Sequence, residues 1–123
     1  MNTTLVIATH RVVGFHAWPD APPEVAYLGS LHRHIFKVRV EAAVYGLNRE
    51  VEFHMLKRVM IDQLRIVAAE VTVDGEHRFG AMSCEMIALR LGLNLKGVSY
   101  SISAVECWED DENGSRVEWL AAR

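Results

Sequence analysis

Cysteine is scarce: Cys84 and Cys107 are the only two in 123 residues, which excludes a disulfide framework. A basic excess is also missing. Thirteen Lys and Arg stand against 16 Asp and Glu, for a net charge of −3 with His neutral. That excludes the positive stripe expected of a nucleic-acid platform. No apolar run approaches the roughly 18 residues of a membrane span, and no secretory apolar region follows Met1. Proline is confined to Pro19, Pro22 and Pro23, so no proline breaks regular structure elsewhere. Repeats, low-complexity stretches and linkers are absent. The expectation is one domain over residues 1–123, reduced, soluble and cytoplasmic, with no nucleic-acid or membrane partner.

Against these shortages stands an abundance of histidine. There are six, three of them between Phe15 and Phe36. Thr3–Phe15 is rich in β-branched residues and predicts a strand. Ala17–Ser30, with its prolines, predicts a long loop of the kind that often carries function. His32–Tyr45 alternates. His32, His34, Phe36, Val38, Val40 and Ala42 share one face; Arg33, Lys37, Arg39 and Glu41 share the other. Val51–Ala69 places Phe53, Leu56, Met60, Leu64 and Val67 at helical spacing, which predicts a helix with those residues in the core. Val71–Ala81, with Gly75 and Gly80, predicts a loop. A second helix is expected over Ser83–Leu91, with Ser83 as N-cap, Glu85 at the positive end of the dipole and Gly92 after the last turn. Val98–Trp108 alternates again, with Glu106 counted on its apolar face. Asp110–Gly114 closes a turn before a short strand, Arg116–Leu120. The order is β-β-α-α-β-β. It predicts an α+β fold with an antiparallel four-stranded sheet and two helices on one face.

Residues two apart on a strand point to the same side, so His32 and His34 can reach one ion. His16, at the end of the first strand, can supply a third neutral nitrogen. Three protein ligands and an open fourth position suit catalytic zinc. A purely structural histidine pair also satisfies the pattern. Glu106 reads either as half of a salt bridge or as an anchor for the donor edge of a ligand, since a carboxylate on an apolar face needs a partner. Glu85 reads as a helix-start acid, and Glu109-Asp110-Asp111-Glu112 as a solvated hairpin tip.

The series His16, His32-x-His34, Glu52-Phe53-x-x-Leu56-Lys57, Ser83-x-Glu85 and Glu106 resembles the 6-pyruvoyl-tetrahydropterin synthase / 6-carboxy-tetrahydropterin synthase (QueD-like) family. The match runs from about residue 3 to 120, and the combination is more specific than any one piece. The resemblance implies the tunnelling (T-) fold, with the element order already read. It implies Zn2+ on His16, His32 and His34, and a pterin-like ring held by Glu106 with Ser83 and Glu85 nearby. It implies a homo-oligomer, trimer or hexamer, with pockets at subunit interfaces. The implied reaction is a carbon–oxygen lyase step on a dihydroneopterin triphosphate-type substrate, in pterin or 7-deazaguanine (queuosine) precursor synthesis. The sequence departs from the family at three points. Tyr27-Leu28-Gly29-Ser30-Leu31 holds no cysteine where the family has one, Arg33 stands in place of glycine, and the family's Asp-His pair is missing from Val71–Ala81. Replacement acid–base groups would be Tyr27, His54 or His77. The alternatives are a zinc- and pterin- or purine-binding protein without the standard turnover, or a different reaction on the same scaffold.

Overall fold

A computed structural model describes residues 2–120. Strand β1 (Thr4–His16) pairs antiparallel with β2 (His32–Val44) over its full length. Between them, Pro23–Gly29 winds into a short 3₁₀ segment. Helix α1 (Phe53–Val67) follows, then two short strands, β3 (Glu70–Val71) and β4 (His77–Gly80). Helix α2 (Cys84–Gly97) leads to β5 (Ile102–Glu109) and β6 (Asn113–Glu118). The result is α+β, with one sheet ordered β3-β4-β1-β2-β5-β6.

The four-stranded antiparallel sheet expected from the sequence is therefore corrected to a six-stranded mixed one. Residues 71–81 are not a loop. Gly75, at φ 84, turns the chain so that β3 and β4 form a hairpin, and β4 then adds parallel to β1. His77 and Phe79 are buried alternately with Arg78 between them, a pattern too short to stand out beside two glycines.

Helix α2 also runs past its predicted end. Gly92 lies inside it rather than capping it, because the Trp119 indole occupies the space where a Cβ would project. Ser83 is the N-cap, its hydroxyl accepting from Met86 N at 3.2 Å. Glu52 caps α1, accepting from the His54 and Met55 amides. The turn between β5 and β6 has Asp110 and Asp111 both at positive φ (53° and 57°), with Glu112 N donating to Glu109 O. This type I′ geometry puts Asn113-Gly114 within β6 rather than at the tip.

Phe36, Val38, Val40 and Ala42 of β2 are fully buried on one face of the sheet, against Leu56, Met60 and Leu64 of α1 and Ile87, Leu91 and Leu95 of α2. Apart from Ala42, each such side chain contributes about 1.5–3 kcal/mol on burial. Phe53, expected in this core, is 60% exposed at the first position of α1. Gly14 is required where β1 crosses the aromatic pair Phe36 and Phe79. A Cβ there would lie 2.7 Å from Phe36 Cδ2. Among the described residues, no helix is long and apolar enough to cross a membrane.

Candidate metal centre

The β1–β2 register pairs His16 directly with His32 and Gly14 with His34. All three imidazoles fall on the helix-covered face, at the end of the strands. Their ring centroids are 4.6, 4.9 and 5.4 Å apart, and one ligand atom from each lies within 4.8 Å of the others. This cluster can hold a metal ion.

The outward nitrogens are already committed. His16 Nδ1 donates to Met82 O at 2.9 Å, His32 Nδ1 to Ser30 O at 2.8 Å, and His34 Nδ1 to Asp110 Oδ2 at 2.7 Å. Carbonyl and carboxylate oxygens only accept, so each Nδ1 carries a proton and Nε2 is the nitrogen left for a metal ion. Such a partner on the second nitrogen is the usual support of a metal-bound histidine. His34 Nε2 is buried and has no hydrogen-bond partner. Phe36 backs the cluster, its ring 5.0 Å from His16 and 5.6 Å from His34. Burial holds His16 below the ordinary imidazole value, outweighing the Met82 hydrogen bond and the Glu109 charge. A preorganised set of three imidazole nitrogens fits a borderline divalent cation such as zinc.

The cluster opens into a cleft of about 520 Å³ lined in part by Trp18, Leu28, Met82, Cys84, Glu85 and Glu109. Ser83 and Glu85, at the start of α2, both line it, and Glu85 Oε1 accepts from Ser115 Oγ at 3.0 Å.

Glu109 was hidden in the sequence. The sequence places it in an acidic hairpin tip, yet its Oε2 lies 3.0 Å from His16 Nε2 and its Oε1 3.5 Å from His34 Nε2. Cys84, unassigned from the sequence, donates from Sγ to Glu109 Oε2 at 3.6 Å. Cys107 lies behind it, its thiol pushed far up by the hydrogen bond with Cys84 and by burial. The available signal was phase: Val105, Cys107 and Glu109 alternate together.

The structure does not bring the remaining predicted residues into this cleft. Glu106 pairs with Arg39 in the register, on the opposite face of the sheet. There its Oε2 accepts from Arg116 Nη1 at 2.7 Å and its Oε1 from Trp108 Nε1 at 2.8 Å. The cause is a register shift where β5 meets β2: Glu41 faces Ala104, but Ala42 faces Ile102. Counting from Val98 across that extra residue inverts the face. Tyr27 is 72% exposed on the 3₁₀ segment. His54 is exposed on α1, its Nδ1 3.0 Å from Glu52 Oε2. His77 is buried in β4, donating from Nδ1 to Gly75 O at 3.0 Å, and lines a separate cavity with His10 and Arg65. Burial lowers the affinity of its ring for a second proton.

No family model matches the chain, and no curated protein matches it. Among solved structures, an uncharacterized protein from Wolinella succinogenes superposes with a TM-score of 0.71, covering 96% of this chain and 99% of that one at 13% identity. What is shared at that identity is the α+β fold.

Proposed function

We propose that the chain is a zinc-dependent lyase of the 6-pyruvoyl/6-carboxy-tetrahydropterin synthase type, built on the tunnelling fold and acting on a dihydroneopterin triphosphate-like substrate. One observation carries the reading: three histidines whose Nδ1 atoms are all engaged, with one ligand atom from each within 4.8 Å of the others beside a cleft that His16 and His32 line. Zinc on these nitrogens would polarise the hydroxyl oxygens of a substrate side chain.

The chain's own groups supply the rest. Glu85, a carboxylate at the start of α2, takes the N–H edge of a pterin-like ring, a role that Glu106 on the far face cannot fill. Ser83 stands beside it. The Cys84 thiol lines the cleft and donates from Sγ to Glu109 Oε2, the carboxylate that would move a proton at substrate carbon. Trp18 and Leu28 exclude water from one wall. A homo-oligomer, trimer or hexamer, would be built on the sheet face that the helices leave uncovered.

Binding without turnover is the second reading. It is favoured by Tyr27 and His54 lying exposed and His77 lying in another cavity. Incubation of zinc-loaded protein with dihydroneopterin triphosphate, with and without chelator, separates the two. Release of triphosphate with a new pterin product supports the lyase. Ring binding with no triphosphate release supports the binder. Elemental analysis should find about one zinc per chain.

A further inference from the structure

We infer that Glu109 is a fourth metal ligand, a carboxylate latch that fills the open position of the histidine site until an incoming ligand displaces it. The inference rests on the three histidines holding a divalent cation, but not on any particular reaction.

The distances carry it. Ligand atoms about 2.1 Å from a tetrahedral zinc stand roughly 3.4 Å from one another. Glu109 Oε2 is 3.0 Å from His16 Nε2, and Oε1 is 3.5 Å from His34 Nε2. The carboxylate therefore stands at ligand-to-ligand spacing from two of the three nitrogens. The Nδ1 atoms are engaged elsewhere, which leaves the Nε2 atoms of His16 and His34 turned toward the carboxylate, where one cation can join them to it.

The position of Glu109 is built into the sheet. It is the last residue of β5, opposite Phe36, so its side chain emerges on the histidine face. The next residue, Asp110, grips His34. Cys84 acts as a positioning residue, its thiol donating to Oε2 and holding the carboxylate at the cleft floor. Glu109 also lines the cleft and is about one-quarter exposed, so a ligand entering there meets it first. A metal oxygen ligand carried by that molecule would replace the carboxylate and leave Glu109 beside it as a base.

The test is titration of the metal-free protein with Co2+, read from the d–d absorption and from competition with a chelator. Wild type is expected to give an intense four-coordinate spectrum. Glu109→Gln is expected to bind at least tenfold more weakly, with a shifted spectrum, and to accept azide as an added ligand at lower concentration than wild type. His32→Ala is expected to lose specific binding. Glu109→Gln with wild-type spectrum and affinity overturns the latch while leaving the histidine site standing. Absence of Co2+ binding to wild type overturns both. If Glu109→Gln does not fold, the metal-induced infrared difference spectrum of wild type decides. A carboxylate band with the wide splitting of monodentate coordination supports the latch, and no carboxylate change overturns it.

Discussion

Asp110 grips His34 from the tip of the β5–β6 turn. Its Oδ2 accepts from His34 Nδ1 at 2.7 Å while its Oδ1 accepts from Ile35 N at 2.8 Å. Those two bonds, the imidazole first, hold its carboxyl below the ordinary aspartate range. A hairpin turn thus fixes the ring of one member of the cluster, and the backbone at Asp110, with φ 53, is the shape that lets one carboxylate reach both.

Replacing Asp110 with glycine removes the carboxylate and keeps the left-handed backbone without strain. Asp110→Gly is expected to weaken metal binding by roughly 10–100-fold, the usual effect of losing the partner of a ligating imidazole. Competition against a chelator of known affinity measures it. Affinity equal to wild type would mean that Asp110 serves the turn alone.

Glu106 leads to the opposite expectation. Its carboxylate is bound by Arg116 and Trp108 on the far side of the sheet from the cleft. Glu106→Gln should leave Co2+ affinity and ring binding within about twofold of wild type, and should lower stability by about 1–3 kcal/mol by weakening charge-assisted bonds. Urea unfolding and a ligand titration on one preparation check both halves. Lost ring binding with stability unchanged would return Glu106 to the site.

The two long hairpins, the two helices, the histidine face of β2 and the Ser83 cap were legible because each rests on local rules: alternation, helical spacing and capping chemistry. Thus His16, His32 and His34 converge as read. What was not legible depends on pairing between distant segments. The shift at Glu41–Ala42 reverses the faces of β5, sending Glu106 out and Glu109 in. The parallel seat of β4 on β1 exists only once β1 and β2 are in place, so the short His77–Gly80 strand carries almost no signal of its own. Cys84 drew no notice because a thiol at the first turn of a helix acquires meaning only from the carboxylate it faces.

On the uncovered face, Glu41 is buried and bridged by Arg116, with Nη1 and Nη2 donating at 2.7 and 2.8 Å. The Arg116 bonds, opposed by desolvation and reinforced by Arg39, hold its carboxyl below the ordinary glutamate value. A depressed folded-state value means stability that is complete above the unfolded value, about 4.3, and lost as pH falls below it through the folded one. Arg116→Ala should cost about 1–3 kcal/mol at pH 7 and flatten the loss of stability in that acid window. Denaturant midpoints for both proteins from pH 7 to pH 2.5 give the comparison. Parallel curves would remove Glu41 as a source of acid sensitivity.

Metal should also report on the fold. His16 closes β1, His32 opens β2, and the Met82 carbonyl that orients His16 lies just before α2. An ion on the cluster ties together segments that the unfolded chain holds apart, so binding adds to folding stability. At free zinc about 100 times the dissociation constant, the gain is about 2.7 kcal/mol. For a domain between the small and mid-sized ranges, that corresponds to a rise in Tm of roughly 10 °C. Calorimetry with zinc and then with excess chelator should show this difference in wild type and abolish it in His32→Ala. The metal-free His32→Ala and wild-type proteins should unfold within a few degrees of each other, because His32 is only half-buried and lies outside the hydrophobic cluster. A zinc-dependent rise that survives His32→Ala would put the ion elsewhere, on groups outside the three histidines.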